Sequence, residues 1–224
     1  MNDNRRPGLT RPLVIDTALR LLGEVGLDGL TVRRLATELG VKSPALYWHF
    51  RSKQELLDGM ADAITWAAGM GPPGEGESWQ DFLLRRARAY RQSVLRHRDG
   101  ARLVSNARLG ARTVKMFDVE LTALVDRGFT PLLALHTITA LAHYVIGFVL
   151  QEQAARREDG ARSEDQMAAL ADLLDAGASA TLLVAIRQGG NPVGAQAFEH
   201  GLHMLIDGTA AALDREQSSS DTAR

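Results

Sequence analysis

The stretch SPALYWHFRSKQELL, residues 43 to 57, sets Tyr47, Trp48, His49 and Phe50 side by side and follows them with Arg51 and Lys53. Consecutive residues cannot all share one face of an element, so some of these rings point away from any core. Ser43 reads as an N-cap and Pro44 as the first helical residue, where its missing N–H is no loss. Leu46 and Phe50, four apart, then share the inward face. Lys42, Ser43, Ala45, Tyr47, Trp48 and His49 are left to face outward. Ser52 opens the next helix, with Glu55 three residues on completing a capping box. Leu56, Leu57, Met60, Ile64 and Ala67 are expected along one side of that helix.

Working upstream, Thr10 and Pro12 open a helix whose apolar face is Val14, Ile15, Ala18, Leu19, Leu22 and Val25, and Gly26 stops it. A second, short helix runs from Thr31 to Leu39, with Leu35, Ala36 and Leu39 inward and Gly40 as its left-handed terminator. Two short helices joined by a Gly-containing turn form a helix-turn-helix, whose second helix meets base edges in the major groove. Taken alone, such a hairpin is also compatible with plain core packing. A helix of about two turns buries little, however, and makes sense mainly as a presented surface. Thr31, Tyr47, His49 and Lys53 supply the hydroxyl, imidazole and ammonium donors that hold phosphates. Arg33 can meet guanine through two parallel bonds.

The whole chain, 224 residues with 45% hydrophobic and 24% charged, has room for one large core or a core plus a small module. It lacks cysteine, which removes disulfides and thiolate metal ligands and fits a reducing cytoplasm. The net charge of −1 hides a split: residues 1 to 53 hold nine Lys/Arg against five Asp/Glu, a balance of +4, and the remainder is acidic. A modest basic module on an acidic body suits a partner with phosphates at one end. No segment approaches the roughly 18 to 20 apolar residues that a membrane span needs, so the protein is expected to stay in the cytoplasm where it is made.

Helical periodicity dominates, and there is no Asn-Gly or Asp-Gly hairpin signal, so the fold class is all-α. The one dense Gly/Pro segment, GMGPPGEGES at 69 to 78, separates two modules. The expected organisation is a disordered basic arm over 1–9, a helix-turn-helix domain over 10–68 including a connecting helix at 52–68, a larger helical domain over 69–214, and a disordered tail over 215–224. Ser78 caps a long helix from Trp79 to His97. Further helical patterns cover 101–107, 111–127, 130–154, 166–187 and 194–214, with a solvated loop at 155–165.

Residues 9 to 60, and GLDGLTVRRLATELGVKSPALYWHFRSKQELLDGM above all, resemble the N-terminal domain of the TetR (tetracycline repressor) family. The similarity continues through GESWQDFLLRRARAYRQSVLRHRDGARL and ALHTITALAHYVIGFVLQEQ, in matching order. The resemblance implies a homodimeric repressor whose two N-terminal modules read a palindromic DNA operator. It also implies that a small-molecule effector bound in the C-terminal domain releases the DNA. On this resemblance Arg33, Ser43, Pro44, Ala45 and Tyr47 fall where the family reads bases, and Thr31, Trp48, His49 and Lys53 where it holds the backbone. Tetracycline-responsive members carry glutamine and threonine in place of Ser43 and Ala45, which implies a different operator.

The resemblance also nominates an effector and the residues here oppose it. Val104 and Gln151 stand where tetracycline-responsive members place a metal-ligating imidazole and a carboxylate that holds a metal-bound water. Neither replaces those groups, because Mg²⁺ requires hard oxygen donors and usually carboxylate charge. Gly69 and Arg86 replace a histidine and an asparagine that hydrogen-bond the drug. No metal and no cofactor is therefore expected. Arg86, Tyr90, Val104, Arg108, Phe117, Glu120, Ile138, His143 and Gln151 are expected to line an effector pocket, and its arginines favour a carboxylate-, enolate- or phenolate-bearing ligand. Arg86 and Arg108 are equally well read as solvated or paired with Glu120, and His143 as an interior histidine. The last long helices, apolar on more than one face or rich in small residues, are expected to pair two copies. An enzyme is the contrasting reading, and no nucleophile elbow, HExxH or phosphate loop supports it. A DNA-binding protein whose body binds another protein is the remaining alternative.

Overall fold

A computed structural model describes residues 9–157, 181, 184, 185, 188 and 192–222. Among them the regular elements are all helices: α1 (Arg11–Gly29), α2 (Val32–Glu38), α3 (Ser43–Leu46), α4 (Lys53–Ala67), α5 (Trp79–Leu95), α6 (Gly100–Ser105), α7 (Ala111–Val125), α8 (Pro131–Arg157) and α9 (Ala195–Thr222). The chain forms two compact units, Met1–Pro72 with Arg88–Glu120, and Pro73–Ala87 with Leu121–Arg224. This differs from a division at 68/69, because contacts of α4 with α6 tie residues 88–120 to the N-terminal helices.

In the first unit, the Thr10 hydroxyl caps α1 by accepting from the Leu13 N–H at 3.3 Å. Gly26, at φ 70°, interrupts the helix, and three further residues follow the kink. A side chain at Gly26 would meet Asp99 Oδ2 at 3.0 Å, which sits there accepting the Leu27 N–H at 2.8 Å. α1 buries Val14, Ala18, Leu21 and Leu22, and leaves Ile15, Leu19 and Val25 half-buried. α2 ends in a Schellman motif: with Gly40 at φ 66°, the Gly40 N–H reaches Thr37 O at 3.1 Å and the Val41 N–H reaches Ala36 O at 2.9 Å. Lys42 rather than Ser43 flanks α3, and no side chain caps it. Ser52 caps α4 through the Glu55 N–H at 3.1 Å, but Glu55 returns its carboxylate to Arg51 N at 2.7 Å, one residue earlier than in a capping box.

α4 presents two faces to this unit. Leu56, Met60, Ala61 and Ile64 form the buried one, with Leu57 half-buried and Ala67 exposed, a rotation from the expected stripe. The other face is a row at four-residue spacing that grips the α6–α7 loop. Gln54 donates to Asn106 O at 3.3 Å, and Asp58 accepts the Arg108 N–H at 3.0 Å. Asp62 Oδ1 accepts the Gly110 N–H at 3.1 Å and the Thr113 hydroxyl at 2.5 Å. Trp66 Nε1 donates to Thr113 Oγ1 at 2.8 Å, under the Arg112 guanidinium 3.7 Å from the ring centroid. A Cβ at Gly110 would collide with the Asp62 carboxylate, so glycine is what lets the loop backbone reach it.

In the second unit α8 packs on α9 around three rings. Tyr144 stacks on Phe198 at 5.4 Å and its hydroxyl donates to Phe198 O at 2.8 Å, while Phe148 meets Phe198 edge-on at 5.3 Å. Gly201 leaves room for the Tyr144 hydroxyl, which a Cβ there would strike. Glu77 is held by a two-pronged bond from Arg85 at 2.7 and 2.8 Å, and Trp79 sets its ring edge-on to Phe129 at 5.2 Å. Two expectations are corrected here. α9 runs to Thr222, and Glu216 accepts the Thr130 hydroxyl at 3.0 Å, so described residues beyond 214 are helical rather than disordered. Residues Pro131–Arg156, of mean hydropathy 1.7, are also long and apolar enough by composition to cross a membrane. His136, Thr137, Thr139 and His143 interrupt the apolar run without lowering the average below that level. The expected helix over 166–187 and most of the 155–165 loop and the 1–9 arm lie outside the described residues.

Candidate nucleic-acid interface

α3 has only four helical residues, too few for intrinsic stability. A continuing turn carries the chain on, with the His49 and Phe50 N–H groups both bonded to Leu46 O at 3.0 Å. Leu46 and Phe50 fix it, each 4% exposed, among Val14, Val32, Leu35 and Leu56. Between these anchors Tyr47 is 53% and Trp48 89% exposed. Such exposure of two large rings on one turn is unusual for a soluble surface and marks a contact site. The inward and outward sides are those expected from the sequence, with His49, Ser43 and Ala45 half-buried.

Exposed cations lie before and after the turn in the chain. Arg33, Lys42 and Lys53 are exposed and have no ion pair among the described residues. Arg11 and Arg20, by contrast, are engaged: Arg11 with Glu55 at 2.9 Å, and Arg20 with Glu24 at 2.9 Å and Glu38 at 2.5 Å. The three free side chains are thus available to phosphates or base edges without breaking an internal pair. Thr31 has a second task, since its hydroxyl oxygen caps α2 by accepting the Arg34 N–H at 3.2 Å, which leaves its proton free to donate. Pro44 is exposed at the start of α3, beside Ser43 and Ala45.

Sequence reasoning missed Arg11 and misread Glu55. The Arg11 guanidinium donates to His49 O at 3.0 Å and lies 4.4 Å from the Phe50 ring centroid. Its hydrogen bond, and then the Arg51 N–H, hold the Glu55 carboxyl below the usual carboxylate range. A pairing across 44 residues leaves no periodic signal to find.

The residues expected to line an effector pocket divide between the units. In the first, Tyr90 and Glu120 are buried, Val104 and Phe117 half-buried, and Arg108 exposed. Glu120 accepts the Gly71 N–H at 3.1 Å. In the second, Ile138 is buried, Arg86 half-buried, and His143 and Gln151 exposed. His143 is exposed in the single chain, on the helix α8.

A three-helix helix-turn-helix module followed by a larger helical body defines a DNA-binding regulator. Comparison with known proteins places it further. Residues 14–60 match the model for bacterial regulatory proteins of the tetR family, and 72–213 match the tetracyclin repressor-like C-terminal domain. Tetracycline repressor protein class A from transposon 1721 of Escherichia coli is 40% identical, over 88% of each chain. A TetR variant from Acinetobacter baumannii AYE, solved in complex with minocycline, is 33% identical with a TM-score of 0.72, covering 91% of this chain and 98% of that one. BioQ, solved with its double-stranded DNA operator, is 29% identical with a TM-score of 0.62, covering 91% and 99%. The chain belongs to the TetR family and is a transcriptional regulator.

Proposed function

We propose that this regulator is a cytoplasmic homodimeric repressor, without enzymatic activity, that reads a palindromic operator and is released by a small molecule other than magnesium-bound tetracycline. The observation that carries the DNA reading is the turn of Tyr47 and Trp48, exposed between the buried anchors Leu46 and Phe50, with the exposed, unpaired cations Arg33, Lys42 and Lys53 on the same helix-turn-helix segment. In this reading Arg33, Ser43, Pro44, Ala45 and Tyr47 face bases, and Thr31, Trp48, His49 and Lys53 face phosphates. BioQ, a relative solved with its double-stranded DNA operator, supports DNA as the partner. Ser43 and Ala45, being small, reach less far into the groove than long amides, so operator preference rests more heavily on Arg33 and Tyr47. A mobility-shift assay on DNA flanking the protein's own gene is expected to show a palindrome-dependent complex; equal binding to scrambled duplex would refute the reading.

Pairing of two copies is supported by apolar side chains left in water in the second unit. Leu132, Leu135 and Leu150 on α8 and Met204 on α9 are all exposed in the single chain. Release is supported by the minocycline-bound relative, while the donor chemistry argues against the same drug here. Val104 offers no ligand atom, and Gln151 has no charge to hold a metal-bound water. Arg86 and Arg108 favour an anionic effector. Tetracycline with Mg²⁺ is expected to leave the melting temperature unchanged, and a rise of several degrees would overturn that exclusion.

A further inference from the structure

We infer that Arg11, the first residue of α1, is a positioning residue for the recognition turn: it caps the turn from outside and sets the angle at which Tyr47 and Trp48 leave the protein. This deepens the DNA reading proposed above and rests on it. After four helical residues the chain still has to carry its working side chains through Tyr47, Trp48 and His49 before Arg51 and Ser52 bend into α4. Leu46 and Phe50 tether the inner side only. Carbonyls at the end of so short a helix have no partner further along it.

Arg11 supplies that partner from 38 residues away, donating to His49 O at 3.0 Å. The same nitrogen meets Glu55 Oε1 at 2.9 Å, while Glu55 Oε2 accepts the Arg51 N–H at 2.7 Å. The guanidinium plane rests over Phe50, 4.4 Å from its centroid. One planar cation thus touches both ends of the corner, the last carbonyl of the turn and the carboxylate that holds the bend into α4. An ammonium could make both hydrogen bonds from its one nitrogen, but it lacks the flat face that rests over Phe50. The pair is exposed, with side chains 46% and 36% accessible, so it adds little to global stability. Its effect is on the orientation of a segment that would otherwise be ordered only on binding DNA.

The test compares full-length wild type with Arg11→Met, Arg11→Lys and Glu55→Gln, measuring fluorescence anisotropy on the operator and on a scrambled duplex over a range of salt. Operator affinity is expected to fall on the order of tenfold in Arg11→Met and Glu55→Gln, the scale of ordering a few side chains and a turn on binding. The slope of log affinity against log salt should stay at the wild-type value, and melting temperatures should stay close to wild type. Glu55→Gln is the sharper variant, since removing a negative charge beside DNA would by simple electrostatics tighten binding. Tighter or unchanged operator binding by Glu55→Gln overturns the inference. So does a slope reduced by about 0.9 in Arg11→Met and fully restored in Arg11→Lys, which would make Arg11 a phosphate contact. Amide hydrogen exchange in the free protein reads the same geometry without DNA. Faster exchange confined to residues 47–52 in Arg11→Met and Glu55→Gln supports positioning; unchanged or uniformly faster exchange overturns it. A wild type that binds operator and scrambled duplex alike would sink the DNA reading itself, whatever the exchange data say.

Discussion

Trp48 and Phe50 lie two residues apart, and replacing each by alanine should have opposite consequences. Phe50 is 4% exposed, within van der Waals reach of Gly59 on α4, whose Cβ would sit 3.4 Å from the ring, and it carries the Arg11 guanidinium. Truncating a buried phenylalanine costs about 3 to 5 kcal/mol, and losing an exposed cation–π contact adds roughly 0.5. For a chain of this size each kcal/mol lowers the midpoint by about 2 to 4 °C, so Phe50→Ala should melt on the order of 10 °C below wild type. Trp48, 89% exposed, has almost no burial to lose. Trp48→Ala should change stability by less than about 0.5 kcal/mol, which is within about 2 °C. Circular dichroism melts of both variants, with operator anisotropy well below either midpoint, separate the effects. Trp48→Ala should bind operator poorly while remaining as stable as wild type. Equal loss of stability in the two variants, or a Phe50→Ala midpoint at the wild-type value, would refute the assignment of inner and outer sides.

Lys53→Ala should weaken operator and non-operator DNA alike and lower the salt slope by about 0.9, whereas an unchanged slope would remove Lys53 from the phosphate contacts. Gly110→Ala should destabilise by about 1 to 3 kcal/mol because its methyl group meets the Asp62 carboxylate, and a melt at the wild-type midpoint would show that the loop yields freely. The Arg85 hydrogen bonds hold the Glu77 carboxyl down to about 2. A depressed carboxyl contributes stability that is present above its unfolded value near 4.5 and is lost as pH falls towards 2. The contribution should be about 1 kcal/mol or less, since Arg85 is half exposed. Between pH 5 and about 2, Glu77→Gln should therefore show a flatter acid limb than wild type, and superimposable limbs would refute the linkage.

Local signals carried most of the N-terminal module. Thr10 opens α1 and Ser52 caps α4 as their spacing announces, and Gly40 takes the left-handed conformation that its place after Leu39 requires, while Thr31, expected as the first residue of α2, is its cap. Leu46 and Phe50 point inward because four residues is nearly one helical turn. What the sequence concealed was made of contacts far apart in the chain. Arg11 with His49, and Asp99 with Leu27, join residues 38 and 72 apart, and no periodicity records them. The α4 row of Gln54, Asp58, Asp62 and Trp66 was hidden for a different reason. Polar residues at helical spacing ordinarily read as a solvated face, and only the returning loop reveals that they hold backbone N–H groups. The tail misled through composition: REQSSSDTAR is polar, yet Glu216 is tied to Thr130.

The leucines of α8 and Met204 of α9 make the amount of protein a thermodynamic variable. One copy alone leaves Leu132 and Met204 each about 60% in contact with water. Any association that covers them stabilises the fold by mass action, so the melting temperature of this chain should climb with its concentration. A regulator synthesised in few copies meets the same arithmetic from the other side. Each new chain spends its first moments with those side chains uncovered, and the rate at which two copies find one another sets how long that exposure to aggregation and proteolysis lasts.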